Sequence, residues 1–170
     1  MRSILPAILS VPLFGLTACA QQSATEPTPA KPNDDHLSHK VAAFARASVG
    51  KKLGRGQCTD LAYAALKAHG GAYSGLTFGR KIDPKKEAIQ PGDIIQFKSA
   101  RIEWKKGNRW GKIWLGTPDH TAIVTSASGL TVEFAHQNHN HNPHVSLLTI
   151  NLNEISSGHY TIYRPVKKTE

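Results

Sequence analysis

Hydrophobic periodicity changes once along this chain, at Pro91-Gly92-Asp93, and that change limits the folds open to it. Upstream, apolar residues recur at helical spacing. Leu37, Val41, Phe44 and Val49 mark a helix over 36–49 that Gly50 ends. Leu61, Ala62, Ala65 and Leu66 mark a stronger one over 58–69, stopped by Gly70-Gly71. Residues 82–90 carry no clear pattern. Downstream, Ile94-Ile95-Gln96-Phe97, 120–125, 130–137, 145–151 and 160–164 read as strands, with a turn at Ser126-Ala127-Ser128-Gly129. A Trp- and Lys-rich insertion covers about 100–118. Helices followed by an antiparallel sheet of about five strands predict an α+β domain. There are no internal repeats.

The amino-terminal residues read as a targeting segment. Met1-Arg2 is a short positive start, and 4–16 is apolar but interrupted by Pro6 and Pro12. About 13 apolar residues are too few to span a membrane as a helix, so 1–18 is expected to be a signal peptide. Leu16-Thr17-Ala18-Cys19 is similar to a bacterial lipobox, which implies cleavage before Cys19 and lipid on its thiol. Residues 20–35 hold three prolines and little to bury, so 19–35 is expected to be a lipidated cysteine and disordered tether. Residues 36–170 are then the folded domain, attached to a membrane and facing the periplasm or cell wall. With Cys19 acylated, Cys58 is left as a lone free thiol in an oxidising compartment, which argues for a purpose.

Cys58 stands at the expected start of the second helix, in Gly56-Gln57-Cys58-Thr59-Asp60-Leu61. A helix N-terminus offers unpaired N–H groups and the positive end of the dipole, and both favour a thiolate. The same N–H groups suit the oxyanion formed in acyl transfer. Gly54 and Gly56 are read as leaving room for a substrate. A nucleophilic thiol needs a base, and the base needs a group to fix its tautomer. His120 opens a strand whose Ala122 and Val124 share its face, and it is the candidate base. In strand periodicity Val132, Phe134, His136 and Asn138 share one face of the returning strand. His136 or Asn138 is the candidate orienter. His136 is favoured, as the first along that strand and the nearer to level with His120.

Four histidines, His136, His139, His141 and His144, fall within nine residues. Their spacing fits no standard zinc site, so no metal and no cofactor is expected, and the tract is read as a solvated loop beside the site. The net charge is +9 with histidines neutral, which favours an anionic partner. No nucleic-acid recognition motif is present, so an envelope polymer is the expected partner and a monomer the expected state.

Four motifs in order carry a resemblance: Gly-Gln-Cys-Thr-Asp-Leu at 56–61, Pro-Gly-Asp-Ile-Ile-Gln-Phe at 91–97, His-Thr-Ala-Ile-Val at 120–124 and His-Gln-Asn at 136–138. Over about 45–165 the chain resembles the CHAP group of cysteine, histidine-dependent amidohydrolases and peptidases, relatives of NlpC-type cell-wall enzymes. The resemblance implies a papain-like fold and cleavage of an amide in peptidoglycan through a Cys58 thioester. His136 stands where that group often has Glu, and some members carry a histidine as third residue. The resemblance extends to a related domain in some fungal actin-associated proteins. The alternative from another class is a non-catalytic papain-like binding module of the envelope.

Overall fold

The structure is a computed structural model that describes residues 32–169. The expected signal peptide, Cys19 and most of the tether lie outside the described residues. Helix α1 (Pro32–Ala47) begins four residues before the expected start. Proline suits a first helical position because its φ is already helical and its missing N–H would be unpaired there. Leu37, Val41 and Ala45 are wholly buried, while Val49, expected on the same face, lies past the helix end and is exposed. Helix α2 (Asp60–His69) buries Leu61, Ala62, Ala65 and Leu66, the expected face, and ends on Gly70 in the left-handed region.

Six strands follow: β1 (Arg80–Ile82), β2 (Ile94–Lys106), β3 (Arg109–Ser128), β4 (Thr131–His136), β5 (Ser146–Asn151) and β6 (Ile155–Arg164). They form one antiparallel sheet in the order β1-β6-β2-β3-β4-β5. The α+β class is therefore correct, with one strand more than expected. The extra strand is β1, three residues at the edge of the sheet and too short to show a period. The 100–118 insertion is built as strand. Lys98↔Asp119 passes through a bulge to Ala100↔Leu115, and the ladder then continues to Lys106↔Arg109 as a long hairpin.

Two clusters bury the two faces of the sheet. Leu37, Val41, Leu61, Leu66 and Phe78 pack over Ile94, Ile123 and Ala135. The other face collects Ile82, Phe97, Val124, Phe134, Ile150 and Ile162, one from each strand, with no member from α1 or α2. Residues 120–125 of β3 are consequently buried on both sides.

The Pro-Gly-Asp turn locks this arrangement. A Cβ on Gly92 would lie 2.0 Å from the Ser38 carbonyl oxygen, so only glycine lets the turn touch α1. The Asp93 carboxylate accepts two bonds from the buried Arg164, from Nε and Nη2, each 2.9 Å. Arg164 also donates to the Ala88 carbonyl at 2.8 Å and to the Glu87 carboxylate.

Candidate active site

The loop before Cys58 is held from two sides. The Asp60 carboxylate, on the first residue of α2, accepts from the N–H groups of Arg55 (2.8 Å) and Gln57 (2.9 Å). The buried Gln137 side chain accepts from the Leu53 N–H (2.9 Å) and donates to the Leu53 and Gln57 carbonyls (3.1 and 2.9 Å). The helix starts two residues later than expected, so Cys58 precedes the N-cap residue Thr59. Gly54 and Gly56 do not open a path for substrate, as the sequence suggested. A Cβ on Gly54, at φ +53°, would lie 2.7 Å from the Asp60 carboxyl, and one on Gly56 would lie 3.0 Å from Pro143. Both glycines shape the turn that carries Cys58.

The bulge opposite Ser99 swings residues 116–119 of β3 toward this loop. The half-buried Cys58 thiol donates a long hydrogen bond, 4.0 Å, to the Asp119 carbonyl. Cys58, Trp114, Asp119, His120, Asn138 and His139 are among the residues that line one cleft. The structure thus brings Cys58 and His120 together from 62 positions apart in the chain.

His120 is 4% exposed and His136 2%. His120 Nε2 lies 2.9 Å from His136 Nδ1, and the rings meet edge to face with centroids 5.1 Å apart. Burial lowers the proton affinity of both, His120 to about 4 and His136 to about 3, helped by His139 at the first and by His120 and His139 at the second. Both rings are therefore neutral at pH 7. With Nε2 engaged by His136, Nδ1 is the remaining nitrogen of His120, a residue that lines the same cleft as Cys58. For Nδ1 to hold a free lone pair, Nε2 must carry the hydrogen and donate to His136 Nδ1.

The register explains this partner. Ala122 pairs with His136, so His136 is not level with His120 but one step along the diagonal. The level position is 138, but β4 ends at His136. Asn138 takes φ +62°, is exposed, and turns into the cleft wall rather than toward the imidazole. The shared strand face expected for Val132, Phe134, His136 and Asn138 stops one residue pair short.

The histidine tract divides into parts. His144 is exposed and bonds Asn142. His139 is half-buried, with its ring 5.0 Å from that of His136 and 6.0 Å from that of His120. A tight loop returns it to the cleft, with Asn138 N–H to Asn142 O at 2.9 Å and Asn142 N–H to His139 O at 3.0 Å. Asn138 and Asn140 hold positive φ there, which asparagine tolerates better than most residues. That Asn-His alternation was the one sequence signal for His139, read instead as a solvated tract. Gln137 and Asp60 carried no signal of their own, because both act through backbone groups. Trp114, 51% exposed with the Arg101 guanidinium 5.5 Å from its ring, forms part of the cleft wall.

The family profile described as AIM3/BBC1 Cysteine proteinase-fold domain matches residues 22–169. Altered inheritance of mitochondria protein 3 of Debaryomyces hansenii is 29% identical over 154 residues, a stretch covering 79% of this chain and 16% of that protein. The chain thus spans about a sixth of the length of that relative. Among solved structures, Ly7917 aligns with 75% of this chain and 62% of its own at TM-score 0.46 and 16% identity. Ly7917 with the hydrolyzing product of MDP aligns over 75% and 63% at TM-score 0.47 and 19% identity. The match supports the papain-like cysteine proteinase fold expected from the motifs, under a family other than the CHAP group they resemble.

Proposed function

We propose, for a chain that belongs to the AIM3/BBC1 cysteine proteinase-fold domain family, a cysteine hydrolase that cleaves an amide bond in peptidoglycan. The observation that carries this reading is one cleft lined by both Cys58 and His120, with His120 Nε2 2.9 Å from His136 Nδ1. Peptidoglycan is the substrate class suggested by the CHAP-like motifs, the lipobox-like Leu16-Thr17-Ala18-Cys19 and the +9 charge, which suits an anionic envelope polymer. Cys19 lipid would hold the domain at a membrane, facing the wall. Intact mass of membrane-extracted protein tests this anchor; an unmodified N-terminus beyond Cys19 defeats it.

In this mechanism the Cys58 sulfur attacks the amide carbonyl carbon as His120 Nδ1 takes the thiol proton. The Nε2–H bond to His136 strengthens as the ring becomes cationic. The Cys58 backbone N–H helps hold the oxyanion. The C–N bond breaks, the amine leaves with the proton from Nδ1, and a thioester remains. Water then attacks the thioester, giving a proton to Nδ1, and a carboxylic acid and the free thiol are released. His136 keeps the tautomer throughout. Asn138 and Trp114 line the substrate path.

The test is digestion of purified sacculi with mass analysis of the fragments. The wild-type chain releases fragments carrying one new amine and one new carboxylate. Cys58→Ser loses activity by on the order of 10³ or more and keeps the fold. Substantial turnover by the serine variant removes Cys58 from the mechanism. Wild-type protein that binds sacculi and releases nothing identifies a non-catalytic papain-like binding module instead.

A further inference from the structure

The cleft contains more ligating groups than a thiol hydrolase needs. His120, His136 and His139 each offer one ring nitrogen, and the three nitrogens lie within 4.8 Å of one another. A tetrahedral zinc ion with Zn–N bonds of about 2.0–2.1 Å sets its ligand atoms about 3.3 Å apart, from the tetrahedral angle. The His120 Nε2 to His136 Nδ1 separation, 2.9 Å, is already close to that edge. The remaining adjustment falls on His139, which sits on the loop closed by Asn138 and Asn142 and not on a strand.

We propose that His120, His136 and His139 form a binding site for a zinc-class transition metal ion that inhibits the hydrolase. The donor set selects the ion, since imidazole suits zinc, copper and nickel, whereas magnesium and calcium take oxygen. Burial keeps all three rings neutral, the form that ligates. Three protein ligands leave a fourth position open to water. Binding displaces the shared hydrogen from His120 Nε2, and the ring keeps it on Nδ1, so His120 stays a neutral imidazole and no proton is lost. Inhibition follows from imidazole chemistry. A neutral ring has one basic nitrogen; once the metal takes it, the other nitrogen carries hydrogen and no base remains for the Cys58 thiol. Chelators would then activate the protein.

The inhibitory half rests on the hydrolase reading above, and the binding half does not. The test titrates Zn²⁺ into the full-length chain in detergent by calorimetry, with Co²⁺ visible absorption as a second readout. One ion binds per chain, Co²⁺ gives the d–d bands of a tetrahedral site, and saturating zinc stops sacculus digestion. His139→Ala weakens zinc affinity by about tenfold or more, while His144→Ala changes neither zinc affinity nor metal-free turnover. Equal zinc affinity in wild type and His139→Ala overturns the proposal, as does full activity at saturating zinc. Zinc bound as described by a chain that never digests sacculi refutes the hydrolase alone and leaves the site standing.

Discussion

Two buried polar pairs brace the same sheet, and they meet the cost of burial in opposite ways. Arg164 and Asp93 are a charged pair joined by two bonds of 2.9 Å, and Glu87 and Ala88 take further Arg164 donors. His120 and His136 are a neutral pair joined by one bond of 2.9 Å. The charged pair spends its donors on protein acceptors, so it fixes β6 to the Pro-Gly-Asp turn and has nothing left for a substrate. The histidine pair spends one nitrogen of His120 and leaves the other unspent. Saturation marks the first as structural, and the unspent nitrogen of the second is the one that the proposed chemistry uses. Burying neutral rings also costs less than burying charge.

The sharpest way to break this contrast is at His136. His136→Phe removes the acceptor for His120 Nε2–H and should lower kcat on sacculi by on the order of 10²–10⁴. His136→Asn returns an amide oxygen that accepts the same hydrogen and should recover much of that loss. Equal losses in both variants would make His136 a packing residue rather than a positioning one.

The charged pair is broken at Asp93. Asp93→Asn leaves Arg164 buried without its full counter-charge and should cost about 3–5 kcal/mol, read from urea unfolding. Turnover per folded molecule should stay as in wild type, because Asp93 does not line the cleft. A specific loss of kcat with unchanged stability would erase the distinction between the two pairs.

Acidification gives the smallest effect. His120 and His136 bind protons less readily folded, at about 4 and about 3, than unfolded, near 6.5. Below that value the unfolded chain holds more protons, so their contribution is complete above about pH 6.5 and is lost as pH falls through about 4 and about 3. In chelator-containing buffer, wild type should lose more urea stability between pH 7.5 and 4.5 than His136→Phe. The Asp93 carboxyl, which burial pushes up, contributes equally to both proteins and cancels in the comparison. Equal losses would mean that the histidines stay as accessible to protons as in the unfolded chain.

Periodicity and punctuation determined much of this protein before any packing was known. The buried face of α2, its glycine stop, the Pro-Gly-Asp turn and the placing of Cys58 beside a helix start all follow from residues within a few positions of one another. Such signals are local because helix and turn hydrogen bonds are local. The tertiary structure decided the rest. Whether His136 or Asn138 meets His120 depends on where β4 ends and on Ala122 pairing with His136, and a slip of one residue would turn every side chain on the strand to the other face. Arg164 finds Asp93 across 71 positions, and Gln137 reaches Leu53 across 84. The hairpin within the Trp-rich insertion and the return of His139 to the cleft are of the same kind. Each rests on a partner supplied by a distant strand or loop, and no short window of sequence carries both halves of such a pair.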